Sequence, residues 1–193
     1  MEIITIFNRD KADCLSQQTM EIPLTLEGLK EAETIAHHLI ETLTPLMPAA
    51  GLAAPQIGIS KKVFIYSWDR SLKHIEVVIN PTITDFSPDF DTSWEACFST
   101  LQEDGVSQAA LVTRAKSVNV EYTNLKGQIV KRKLEGFAAK VFQHEYDHLH
   151  GIENVRKKGA EVKNFSTKTE LIKFMKNVKN KDSINYMPPL AET

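Results

Sequence analysis

The sequence predicts an α+β fold. Strand-like segments flank two long helical segments without the regular strand–helix alternation that builds a parallel sheet. One pair of strands is also joined by a short polar turn, a hairpin signal. Residues 1–7 (Met-Glu-Ile-Ile-Thr-Ile-Phe) read as a first strand, and they lack the basic start and small-residue cleavage site of a signal peptide. Thr25 caps a helix running to about Leu43, with Leu29, Ala32, Ala36, Leu39 and Leu43 on its apolar side and Pro45 and Pro48 ending it. His37 and His38 on that helix point about 100° apart, so they read as a surface or packing pair and not as metal ligands. Residues 62–66 and 75–79 read as strands, the second stopped by Asn80-Pro81. Val118, Val120 and Tyr122 alternate with polar residues, and residues 124–127 turn the chain into a partner strand over 128–134. A second helix begins near Gly136 and is closed by Gly151. Thr167 and Glu170 form a capping box for a third, with Leu171, Phe174, Met175 and Val178 at helical spacing.

Length and composition describe a single domain over residues 1–193, with a basic C-terminal helix and tail from about residue 156. A hydrophobic share of 42% supplies an ordinary core, and a net charge of −2 gives no global reason to bind nucleic acid or an anionic membrane. No apolar run approaches a membrane span, so the expected location is cytoplasmic, with no membrane partner. The two cysteines, Cys14 and Cys97, make no disulfide framework and fit a reducing compartment.

The chemistry is concentrated at residues 143–148, Gln-His-Glu-Tyr-Asp-His, which contain His-Glu-x-x-His. Two histidines four apart on a helix lie one turn above each other, so His144 and His148 can grip one metal ion. Phe137 and Val141 share their stripe, while Ala138, Phe142, Glu145 and Leu149 form the adjacent one; Lys140, Gln143 and Asp147 are expected to face away. Burying such polar groups without partners costs about 1–3 kcal/mol each, which makes a metal the natural occupant. On this helix alone the alternative is a chance match with two hydrogen-bonded core histidines.

Two upstream blocks bear on that alternative. Glu95-Ala96-Cys97-Phe98-Ser99 offers a thiolate, and Gly51-Leu52-Ala53-Ala54-Pro55-Gln56-Ile57-Gly58 offers one amide side chain in a small-residue segment. A hydrolytic site needs a third protein ligand and an open position for water. In this order the three blocks resemble the three signature motifs of the peptide deformylases, over most of the chain up to Gly151. The resemblance implies sheets wrapped around the motif helix. It also implies removal of the N-formyl group from the N-terminal methionine of nascent polypeptides, with release of formate. By the same resemblance Cys97, His144 and His148 hold one divalent metal ion, iron(II) first, with zinc, nickel or cobalt compatible with the donors. Glu145 is the general base and later the acid, and Gln56 and the Phe98 N–H donate to the oxyanion. Formylmethionyl peptides are expected to pass as an added strand beside Ala50, Gly51, Glu95 and Ala96. Phe137 and Val141 are expected to wall the methionine pocket. Glu95 and Arg114 can form a buried ion pair that braces the cysteine loop, the alternative being an ordinary surface arginine. The basic C-terminal region is either a docked helix with a solvated basic face or a transient contact with the ribosome.

The chain also departs from the family pattern. Ala49 and Ala96 stand where glycines are usual, and Phe98 stands where leucine is. Alanine at a positive-φ position would add about 1–2 kcal/mol of strain; otherwise the two Cβ atoms narrow the peptide groove. After Ser99 a longer run, residues 102–109, replaces a proline-containing turn. Past Gly151 the segment Ile152-Glu153-Asn154-Val155 reads as weaker packing than the family's apolar continuation. These departures leave open a related metallohydrolase acting on another small amide or peptide, or a non-catalytic metal-binding paralogue.

Overall fold

A computed structural model describes residues 1–178 of the 193; residues 179–193, the end of the expected basic tail, lie outside the described part. The first helix, α1 (Leu26–Leu43), starts at Thr25, whose hydroxyl accepts from the Gly28 N–H at 3.2 Å. That bond satisfies one of the donors every helix start leaves open. Ala32, Ile35, Ala36, Leu39 and Leu43 are buried, whereas His37 is exposed and pairs with Glu41.

Eight strands and two further helices follow: β1 (Gly51–Ala53), β2 (Val63–Ser67), β3 (Ile75–Phe86), β4 (Phe90–Ala96), β5 (Ser107–Ala115), β6 (Ser117–Thr123), β7 (Ile129–Glu135), α2 (Gly136–Leu149), β8 (Glu161–Phe165) and α3 (Lys168–Asn177). One antiparallel sheet has the order β1-β2-β3-β6-β7, and a second has β4-β5-β8. The first puts β1, which carries the glycine block, at its edge. The second puts Cys97 immediately beyond the end of β4.

Several expectations need correction. Residues 1–7 form no strand; the segment enters a turn at Ile6 and Phe7 and is held by single bonds, Ile4 N–H donating to Gln56 O and Ile6 N–H to Ser99 O, each at 2.8 Å. Nor does Asn80-Pro81 stop the second strand. Asn80 takes φ 47° and the register shifts between Ile79 and Thr82, so a bulge absorbs the proline and β3 continues to Phe86. The Asn80 side chain meanwhile pairs both ways with the Ile22 backbone at 2.8 Å. The run after Ser99 is shorter than it reads, because β5 already begins at Ser107.

Lys140, Gln143 and Asp147 do not face solvent; all three are buried. Four residues advance a helix about 40° beyond a full turn, so Lys140 lies nearly above His144. Its ammonium meets Asp91 of β4. Gln143 spans the Ala115 backbone, accepting from its N–H at 3.2 Å and donating to its carbonyl at 2.9 Å. Asp147 accepts from Arg114 at 2.9 Å and from Lys157 at 2.7 Å. Helix α2 is therefore enclosed between the sheets, and on its apolar side Phe142 meets Phe64 and Tyr66 edge-on at 5.0 and 5.7 Å.

Helix α3 caps as expected, Thr167 accepting from the Glu170 N–H, although the Glu170 carboxylate takes the Ser166 N–H. Leu171, Ile172 and Met175 dock inward and Phe174 meets Trp94, leaving Lys173 and Lys176 exposed. Among the described residues no helix is long and apolar enough to cross a membrane.

Candidate active site

Three segments converge on one face of α2. His144 and His148 project from successive turns, and Cys97 arrives from the second sheet. Cys97 Sγ lies 3.3 Å from His148 Nε2, which lies 3.2 Å from His144 Nε2. One ligand atom from each of these three buried residues falls within 4.8 Å of the others.

The outer nitrogens of both rings are held by carboxylates. His144 Nδ1 is 2.9 Å from Glu95 Oε2, and His148 Nδ1 is 3.0 Å from Glu153 Oε1. An ionised carboxylate only accepts, so each Nδ1 carries a proton and donates outward, and each Nε2 is the nitrogen left facing the sulfur, able to offer a lone pair to a metal ion once deprotonated. Two nitrogen lone pairs and a thiolate aimed at one buried point are a donor set for a cation. Behind the histidines, Arg114 pairs with both Glu95 and Asp147, and Lys157 also meets Asp147, so the carboxylates that fix the rings are themselves fixed.

The charges are tuned accordingly. Burial opposes ionisation of Cys97, yet His148 and His144 outweigh it and hold the thiol below its ordinary range. Burial likewise opposes the Glu95 charge, but Arg114 and His144 bring its pKa down to about 2. Arg114 is itself buried and grips Glu95 with two nitrogens, Nη2 at 2.9 Å, so it is not a surface arginine. Of the two readings of Arg114, the buried pair with Glu95 is the one present, and it commits the Glu95 side chain to positioning His144. Asn154 adds a bond to the Glu95 carbonyl at 3.1 Å.

Gln56 sits in a turn (Ala54–Ile57) closed by Gly58 at φ 82°. Its Oε1 accepts from the Ala53 N–H at 2.9 Å, which aims Nε2 at Ser99 Oγ (3.1 Å) and Cys97 Sγ (3.4 Å). It is a buried amide within the cluster. Phe98 follows Cys97 in a turn (Phe98–Thr100), where the Thr100 N–H and hydroxyl both bond the Cys97 carbonyl. Cys14 and Cys97 are both free thiols, so no bridge removes the ligand.

Gly51 opens β1, Ala50 precedes it and Ala96 ends β4; all three are buried. Neither Ala49 nor Ala96 has positive φ, since Arg70 and Asn80 are the non-glycine residues that do among those described. The alanines thus bring no left-handed strain, and their cost is space alone. Phe137 is half-buried under the Arg70 guanidinium, 4.7 Å from the ring centre, and Val141 is fully buried.

Glu153 carries no signal in the pattern of the chain. The segment after Gly151 has the look of weaker packing, yet Glu153 and Asn154 are buried and both brace the cluster. The available signal was chemical: a ligating histidine needs an acceptor for its second nitrogen, and Glu153 stands just past the Gly151 turn.

Residues 3–164 match the family model described as polypeptide deformylase. The chain belongs to the peptide deformylase family. A peptide deformylase of Thermotoga maritima is 41% identical over 126 residues, 65% of this chain and 70% of that protein. One of Halalkalibacterium halodurans is 35% identical over 142 residues, 68% of this chain and 76% of its own. The crystal structure of the Thermotoga maritima peptide deformylase superposes with a TM-score of 0.65 at 33% identity, covering 79% of this chain and 92% of that one. A class I type b peptide deformylase of Acinetobacter baumannii, solved with Met-Ala-Ser bound, gives 0.68 at 28% identity, covering 81% and 98%. As a peptide deformylase the chain is a metal-dependent hydrolase of N-formylmethionyl nascent peptides.

Proposed function

We propose that this peptide deformylase works through one divalent ion held by Cys97, His144 and His148, iron(II) in the cell, with zinc, nickel or cobalt satisfying the same donors. The observation that supports this is the convergence of the sulfur and two Nε2 lone pairs, each ring fixed by its own carboxylate. When bound, the ion supplies positive charge beside the formyl oxygen and acidifies a water.

The chain's own groups do the rest. Glu145 is buried next to a ligand but on the neighbouring stripe. It takes the proton of the attacking water and passes it to the departing amine. Gln56 Nε2 and the Phe98 N–H donate to the oxygen on which negative charge develops. The peptide backbone lies along the edge of β1 at Ala50 and Gly51, with the Ala96 backbone opposite. Phe137 and Val141 wall the methionine side chain. Ala49 and Ala96 crowd this groove, which favours short substrates. The setting is cytoplasmic. The exposed Lys173 and Lys176 of α3 meet ribosomal RNA transiently, a contact that salt-sensitive co-sedimentation with ribosomes detects and that unchanged binding on charge reversal of both would exclude.

Metal analysis tests the centre. Wild-type protein is expected to carry about one ion per chain, by the rule of three protein ligands and an open position. Cys97→Ser, His144→Ala and His148→Ala should each lose it. Full metal content in any of the three removes that residue from the site.

A further inference from the structure

We propose that Gly51 is the seat of the Glu145 carboxylate, and thus a positioning residue for the proton transfer assigned to Glu145; the inference rests on that assignment. The observation is steric. A methyl group built on Gly51 would stand 2.5 Å from Glu145 Oε1, 2.8 Å from its Cδ and 2.9 Å from its Cγ. Comfortable carbon contacts begin at about 3.5 Å. The three nearest atoms all belong to one side chain, and it is the proposed base.

Backbone conformation does not demand glycine here. Gly51 opens β1 opposite Tyr66 and is absent from the glycines with positive φ, so its conformation is open to any residue. What position 51 contributes is the missing Cβ. Gly28 and Gly151 differ, because an added methyl there would meet backbone, at 1.8 Å from Pro23 O and 2.6 Å from Ser16 C and O. At Gly51 the obstacle is a side chain with rotatable bonds. The fold can absorb a methyl group by swinging Glu145 aside, and in doing so it moves the carboxylate from the place where it acts.

This role is separable from passage of the substrate backbone beside Gly51. Obstructing the substrate raises KM, whereas displacing the base lowers kcat. Gly51→Ala is therefore expected to keep its metal, to leave KM little changed, and to lose kcat on the order of 10²-fold, toward the level of Glu145→Ala. A raised KM with unchanged kcat would overturn the proposal.

Thermal unfolding of the four proteins Gly51/Glu145, Gly51→Ala, Glu145→Ala and the double variant supplies a readout independent of turnover. Gly51→Ala should lower Tm when Glu145 is present and leave it unchanged when residue 145 is alanine. An equal drop in both backgrounds means that the clash lies elsewhere, and it overturns the proposal. If Gly51→Ala alone does not fold, recovery of folding in the double variant supports the seat and its absence refutes it. Should Glu145→Ala retain normal rates, the assignment of the base fails while the Tm cycle still reports on the steric seat.

Discussion

Glu145→Ala is expected to retain its metal ion and lose turnover by about 10²–10⁴-fold, the range for a positioned general acid–base group. The group that could hold the ion leaves Glu145 out: Cys97, His144 and His148 form the cluster, and Glu145 occupies the next stripe of α2, packed over Gly51. Removing it therefore separates binding from catalysis. The measurement is metal content beside kcat for the same preparation. Near-normal rates with bound metal would mean that another group moves the proton.

Gln56→Ala is expected to lower kcat by about 10²–10³-fold, the cost of losing one preorganised oxyanion donor. The amide is already oriented, its Oε1 fixed by the Ala53 N–H and its Nε2 directed into the cluster. Because such a bond strengthens as charge develops, the loss should fall on kcat more than on KM. Steady-state kinetics on a formyl-methionyl peptide reads both. A pure KM effect would reassign Gln56 to holding the ground state.

The sequence revealed most where apolar periodicity and chemistry agree. Helix α1 appeared with its Thr25 cap, the β6–β7 hairpin with its turn, and α2 with both histidines on one stripe. The second sheet was hidden for a physical reason. In β4 the face turned to α2 carries Asp91 and Glu95, which meet Lys140 and His144, so the usual apolar-inward alternation is inverted. Lys140, Gln143 and Asp147 misled in the same way, since a polar stripe on a helix ordinarily marks solvent. Here each finds a buried partner. Glu153 left no periodic trace at all, because a single carboxylate after a glycine turn is legible only once His148 is known to need an acceptor. The edge position of β1 and the space beneath Glu145 depend on tertiary packing and on a missing Cβ, which no pattern along the chain records.

The Cys97–His144–His148 centre, with Glu145 beside it, is expected to hydrolyse the formyl amide of N-formylmethionine. Formate release from formyl-Met-Ala-Ser, by protein prepared anaerobically with iron(II), tests it most directly. The expected result is one formate per peptide cleaved, abolished in His144→Ala and strongly reduced in metal-loaded Glu145→Ala. No formate from the metal-replete wild-type protein, or an equal rate from Glu145→Ala, would rule out this centre as the site of formyl hydrolysis.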